Sequence, residues 1–121
     1  MISYCSACWR RFWYFACAAC WENVPGINAA GTYVLGNSIG GGPAVAVART
    51  RPVTGLILVS AFADLPGVVR RAVPFAPTML LRDRYDNVAG LAEVQSPVLL
   101  MHAQDDEVVP ADDMHLLSRA A

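Results

Sequence analysis

The chain has 121 residues, 55% of them hydrophobic and 16% charged, with a formal net charge of −1, the balance of one globular domain rather than a disordered segment. All nine basic residues are arginine and ten acids oppose them, so the overall balance supplies no basic field, and neither nucleic acid nor a membrane is expected as a partner. A chain this short buries a core but leaves much of its surface wet, so a fold that needs a large central sheet is expected to be incomplete.

Composition divides the chain into two parts, an atypical segment at 1–21 and a domain at 22–121. All four cysteines, all three tryptophans and seven of the eleven aromatic residues fall in 1–21. Cys5, Cys8, Cys17 and Cys20 form two C-x-x-C pairs, the ligand count of a tetrahedral zinc site. The eight residues between the pairs, WRRFWYFA, are shorter and more apolar than such sites use. An apolar helix or strand carrying small sulfur residues is the preferred reading, and no metal or other cofactor is expected. Arg10 and Arg11 interrupt the apolar run and leave about ten residues beyond them, short of the ~20 that span a bilayer. Residues 12–20 resemble the apolar stretch of an export signal, a reading ranked below retention in the cytoplasm.

Residues 32–36, TYVLG, are β-branched and aromatic enough for a short buried strand, and an Ala/Val stretch at 44–48 reads as a helix. Between them lies Gly36-Asn37-Ser38-Ile39-Gly40, a G-x-S-x-G at a strand-to-helix turn. A serine forced into a sharp turn projects its hydroxyl above the sheet edge, and small residues two before and two after it avoid collision with the neighbouring elements. The backbone N–H of Ile39 would face an oxyanion beside the positive end of the following helix. The alternative is a glycine-rich turn in which Ser38 caps that helix. Phosphate binding is disfavoured, since neither G-x-G-x-x-G nor a G-x-x-x-x-G-K-[ST] loop is present.

Residues 54–60 and 98–101 are near-continuous apolar runs of the kind found in parallel strands covered on both faces. Strand, helix, strand implies a right-handed crossover in a parallel sheet, with sites at the carboxyl ends of the strands. The fold class is therefore α/β, a parallel sheet of a few strands with crossover helices. The segment 64–95 reads as a lid-like excursion, with Pro66, Pro74 and Pro77 breaking helix and 82–87 a polar turn. Pro74, Phe75, Pro77, Met79 and Leu80 are expected to pack in the core rather than line an acyl pocket.

LGNSIGGG at 35–42, LILVSAF at 56–62, LLRDRYDN at 80–87 and SPVLLMHAQDDEVVP at 96–110 together resemble the α/β-hydrolase superfamily, nearest its compact esterase and serine-peptidase-like branches. The resemblance implies ester, thioester or amide hydrolysis of a small acyl substrate through Ser38, with Ile39 N–H on the oxyanion. Asp106 is implied as the acid that orients a histidine. Ala103 stands where the family usually has glycine, and the competing Asp105 reads as a solvated turn residue. Glu107, Asp112 and Asp113 read as a wet turn and a helix start.

No good base is visible. In the family order the histidine follows a further helix and strand, whereas fifteen residues follow Asp106 here. His115 is the better placed candidate, but its segment is amphipathic and the side chain is expected to point along a helix surface. His102 ends a buried strand and reads as core packing. The loop that supplies the second oxyanion N–H in the family has no counterpart in 1–21. The expected chain is thus a partial hydrolase domain with slow or absent turnover. The alternative is a non-catalytic remnant or interaction module. Open sheet edges, with Leu56, Leu58, Val98 and Leu100 poorly covered, are expected to drive self-association.

Overall fold

A computed structural model describes residues 31–81 and 84–121. The cysteine quartet, the boundary at residue 21 and the residues Arg82 and Asp83 lie outside the described residues. Three strands, β1 (Tyr33–Asn37), β2 (Gly55–Val59) and β3 (Val98–Met101), form a parallel sheet in the order β1-β2-β3. Helix α1 (Gly41–Thr50) connects the first two strands. Helices α2 (Leu65–Ala72) and α3 (Asn87–Leu91) lie between β2 and β3, and α4 (Ala111–Ala120) follows β3.

Because each strand pairs with the next in sequence, right-handed connections carry both crossovers over the same face. The register aligns Val34, Leu56 and Val98 in one row and Gly36, Leu58 and Leu100 in the next. Leu56 and Leu58 are fully buried there, in a core with Ala44, Val45 and Ala48 of α1, Leu91 of α3 and Leu117 of α4. Each buried leucine contributes about 2 kcal/mol by leaving water.

The expectation that Leu56, Leu58, Val98 and Leu100 lie poorly covered is therefore corrected. Leu56 and Leu58 are buried, and Val98 and Leu100 pack against the core. The open face is the opposite one, where Tyr33 and Leu35 are 63% exposed and Leu99 and Met101 52% exposed. One-sided crossovers cover one face, so the apolar runs did not mark strands covered twice among the described residues.

Three readings of the excursion also change. Pro66 does not break helix. It stands in the first turn of α2, where a missing N–H costs nothing, and Asp64 caps that helix by accepting from Gly67 N at 2.7 Å. The polar turn ends early: Asp86 caps α3 through Ala89 N at 2.9 Å, and Asn87 is buried, donating from Nδ2 to Phe62 O at 2.9 Å. Pro74, Phe75, Pro77, Met79 and Leu80 are exposed rather than in the core. The bonds Leu65 N to Arg84 O (3.0 Å) and Asn87 N to Ala63 O (2.9 Å) close the base of the excursion and leave its middle outside the sheet.

Asp113 stands in the first turn of α4, as a helix start requires, but faces inward. It is buried, accepting from Ala63 N at 3.1 Å and from the Arg71 guanidinium at 2.8 Å, which ties α4 to α2 and to the end of β2. Glu107 and Asp112 are exposed, as a wet turn and a helix start require. Among the described residues no cluster of His, Cys, Asp or Glu is gathered to hold a metal ion, and no helix is long and apolar enough to cross a membrane.

Candidate active site

Parallel strands bring all their carboxyl ends to one edge of the sheet, and the register puts Asn37, Val59 and Met101 level with one another. The next residues, Ser38, Ser60 and His102, consequently stand side by side along that edge. Two inter-strand spacings, roughly 10 Å, separate the first from the last.

Ser38 leaves β1 with a φ of 49° and opens a single 3-10 turn (Ser38–Gly40) that runs into α1. A left-handed backbone costs a non-glycine residue roughly 1–3 kcal/mol and persists only where its surroundings enforce it. Here the surroundings are Gly36 and the start of α1. A Cβ on Gly36 would stand 2.6 Å from Ala44 Cβ and 2.8 Å from both Gly40 O and Gly41 Cα. The strand can pass under the helix only as glycine, and the chain must turn sharply to enter α1.

Ser38 is exposed, and no hydrogen bond to its hydroxyl forms among the described residues. It does not cap the helix: the capping positions are Asn37 and Gly40, neither with a side-chain bond. The adjacent Ile39 N–H lies in the first turn of the helical run, where N–H groups lack intrahelical acceptors.

The second glycine of the motif behaves differently from expectation. A Cβ on Gly40 would meet nothing within 4 Å, whereas one on Gly41 would stand 3.0 Å from Ala61 Cβ and one on Gly42 2.5 Å from the Tyr85 ring. The helix begins one residue later than the motif implies, so the close approach moves to its first two residues.

Asp106 sits in the turn between β3 and α4, half-buried, with Oδ1 accepting from Val108 N and Val109 N, both at 2.9 Å. These two bonds, Val109 first, hold the carboxyl below the usual carboxylate range. Partial burial opposes them, while the Ser60 hydroxyl and His102 assist. Asp105 is exposed. Ala103 takes the place of a glycine without left-handed backbone, and its carbonyl accepts from Asp106 N at 3.4 Å.

His102 is turned inward. Its Nε2 lies 2.8 Å from Val109 O, which makes it the protonated nitrogen, and 4.0 Å from Asp106 Oδ2. Its Nδ1 is buried without a partner. The ring therefore braces the acid turn from beneath. His115 is exposed in the middle of α4.

Ser60 was not singled out in the sequence. It has a φ of 46°, its N–H donates to Met101 O at 2.9 Å, and its hydroxyl is among the groups that favour the Asp106 carboxylate. The one signal that could have found it is its place just past the carboxyl end of the middle strand. Tyr85, with a φ of 39° and its ring over Gly42, is a third strained residue packed at the start of α1.

A carboxylate held low in the folded chain takes up its proton later than in the unfolded one. Its stabilisation is complete above the unfolded value of about 4 and lost as pH falls through the folded value. Asp106→Asn keeps an oxygen for Val108 N and Val109 N but no charge. Urea denaturation should find this variant less stable than the parent at pH 7, with the gap closing below about pH 4. A gap that is constant with pH would refute the assignment of charge to this turn.

No protein-family model matches the chain. An uncharacterized protein of Mycobacterium tuberculosis, from strain CDC 1551 / Oshkosh and likewise from strain ATCC 25618 / H37Rv, is 36% identical over 88 residues. The match covers 72% of this chain and 31% of the relative, so the chain spans about a third of the length of the curated relatives it matches. Among solved structures, the esterase domain of a Rhodothermus marinus protein aligns with a TM-score of 0.68 at 23% identity, over 88% of this chain and 50% of that one. Likeness at that identity is likeness of fold. The three-stranded parallel sheet with its crossover helices is an α/β, hydrolase-like architecture.

Proposed function

We propose that this chain carries the nucleophile and acid of a serine hydrolase site acting on an ester, thioester or amide. The observation that carries the reading is the left-handed Ser38 at a strand-to-helix turn, with an exposed hydroxyl and a Gly36 that admits no side chain. Ser38 Oγ attacks the carbonyl carbon and its proton passes to an imidazole. The carbonyl π electrons move to oxygen, and Ile39 N–H donates a hydrogen bond to the resulting oxyanion. Collapse expels the alcohol, thiol or amine, which takes that proton and leaves acyl-Ser38 for water to hydrolyse. Asp106 serves as the acid that fixes the imidazole tautomer and stabilises its charge. Such an imidazole belongs above Ser60, the residue between Ser38 and the β3 end.

Neither histidine of the chain suits that place. His102 lies under the acid turn with Nε2 committed to Val109 O, and His115 is exposed on α4. This favours a second reading, a non-catalytic hydrolase-fold module, and in either case turnover of a simple aryl ester is expected to be slow or undetectable. Without a base the hydroxyl stays protonated near neutrality.

Fluorophosphonate labelling followed by intact mass tests the assignment. Slow labelling abolished in Ser38→Ala supports Ser38 as nucleophile, and labelling that persists in Ser38→Ala refutes it. Rapid stoichiometric labelling, lost in both Ser38→Ala and His115→Ala, would make His115 the base and overturn the non-catalytic reading.

A further inference from the structure

The middle of the excursion carries the three most exposed large apolar side chains among the described residues. Phe75 is 97% exposed, Met79 85% and Leu80 77%, and Val73 beside them is also exposed. Their exposure would ordinarily be costly, and the local backbone is partly bonded within itself. Val73 N donates to Val69 O (2.8 Å), Ala76 N to Val73 O (2.9 Å), Leu80 N to Pro77 O (2.9 Å) and Leu81 N to Thr78 O (3.2 Å). Pro74 and Pro77 have no N–H to satisfy. Six of the nine residues 73–81 thus need no water for a backbone donor, and the remaining N–H groups, of Phe75, Thr78 and Met79, restrict the segment to the hydrated headgroup level rather than the hydrocarbon interior.

The charge distribution selects the kind of surface. Although the chain as a whole is balanced, residues 70–84 contain four of its nine arginines against a single acid, Asp83. Arg70 and Arg84 are exposed on either side of the apolar stretch. Arg71 is paired with Asp113, and the nearby Asp64 and Asp86 are occupied as helix caps at the base of the excursion. An apolar tip flanked by exposed arginines matches an interface of acyl chains beneath anionic headgroups.

We propose that residues 73–81 form a membrane-contact loop, which seats Phe75, Met79 and Leu80 among the lipid headgroups and acyl chains of an anionic bilayer while Arg70 and Arg84 face the headgroup charge. Helix α2 leaves from the carboxyl end of β2, so the loop rises from the same edge of the sheet as Ser38. Docking in this way sets the candidate site beside the lipid surface.

Sedimentation of the full chain with phosphatidylcholine vesicles, with and without about one third phosphatidylglycerol, tests this directly. Partitioning about tenfold stronger on the anionic vesicles is expected. The double variant Phe75→Asp/Met79→Asp, in which only exposed side chains change, should retain the parent circular dichroism and lose at least about tenfold in binding. Arg70→Glu/Arg84→Glu should abolish the preference for anionic lipid. Absence of binding to both vesicle types overturns the proposal. So does binding that Phe75→Asp/Met79→Asp leaves unchanged, which would put the attachment elsewhere in the chain, or self-association that consumes the same residues while vesicles go unbound.

Discussion

Gly36→Ala should unfold the protein at a midpoint more than ~10 °C below the parent, a loss of about 3 kcal/mol. The new methyl would meet one side-chain carbon and two backbone atoms, all at or below 2.8 Å. A side chain can swing away, but Gly40 O and Gly41 Cα belong to the turn itself. Relief therefore requires α1 to lift from β1, which opens the core around Ala44 and relaxes Ser38 from its left-handed backbone. The control lies within the same motif. Gly40 has a φ of −66° and open space around its Cβ position, so Gly40→Ala should be neutral or slightly stabilising. Thermal unfolding of both variants reads the difference, and equal losses would mean that the turn is not held by Gly36.

Asp113→Ala is expected to cost about 2–3 kcal/mol, and Asp113→Asn about 1. The buried carboxylate has two partners of unequal need. Ala63 N is buried and would lose its only side-chain acceptor, the expensive half of the change. The Arg71 side chain is 39% exposed and can turn to water, so its unpairing costs little. Asparagine restores the acceptor for Ala63 N and gives up only the charge. Arg71→Ala should cost less than 1 kcal/mol by the same reasoning. Urea denaturation of the three variants orders these costs. If Arg71→Ala matched Asp113→Ala, the ion pair rather than the backbone bond would hold α4 in place.

Local pattern carried the strands and the turn. The run at 98–101 coincides with β3, and the run at 32–36 is displaced by one residue from Tyr33–Asn37. The turns that hold Ser38 and Asp106 were legible because G-x-S-x-G and D-x-x-V-P are contiguous frames whose geometry rests on immediate neighbours, Gly36 on one side and Val108 and Val109 on the other. The role of Asp113 was not legible. Its partners lie 42 and 50 residues away, and nothing in a pair of adjacent aspartates tells which of them turns inward. Ser60 and Tyr85 escaped for a related reason, since left-handed backbone at a non-glycine residue is imposed by tertiary packing and leaves no mark in composition. Phe75, Met79 and Leu80 were misplaced because hydrophobicity predicts a preference for burial, whereas whether a second layer exists to bury them depends on the side to which the crossovers run.

The sequence-ordered sheet also determines how the chain can acquire its structure as it emerges from a ribosome. Between Tyr33 and Val59 the nascent chain already contains two paired strands and the helix that covers them, so a βαβ nucleus with short loop closures can form before the excursion has been synthesised. Completion waits on a distant segment. Leu117, fully buried, seals the core from α4, and Asp113 clamps the excursion only once that helix arrives. Vectorial synthesis therefore yields an early, partly covered sheet that persists until α4 has emerged. During that interval its strand edges and its unsealed core are what a holdase chaperone would meet.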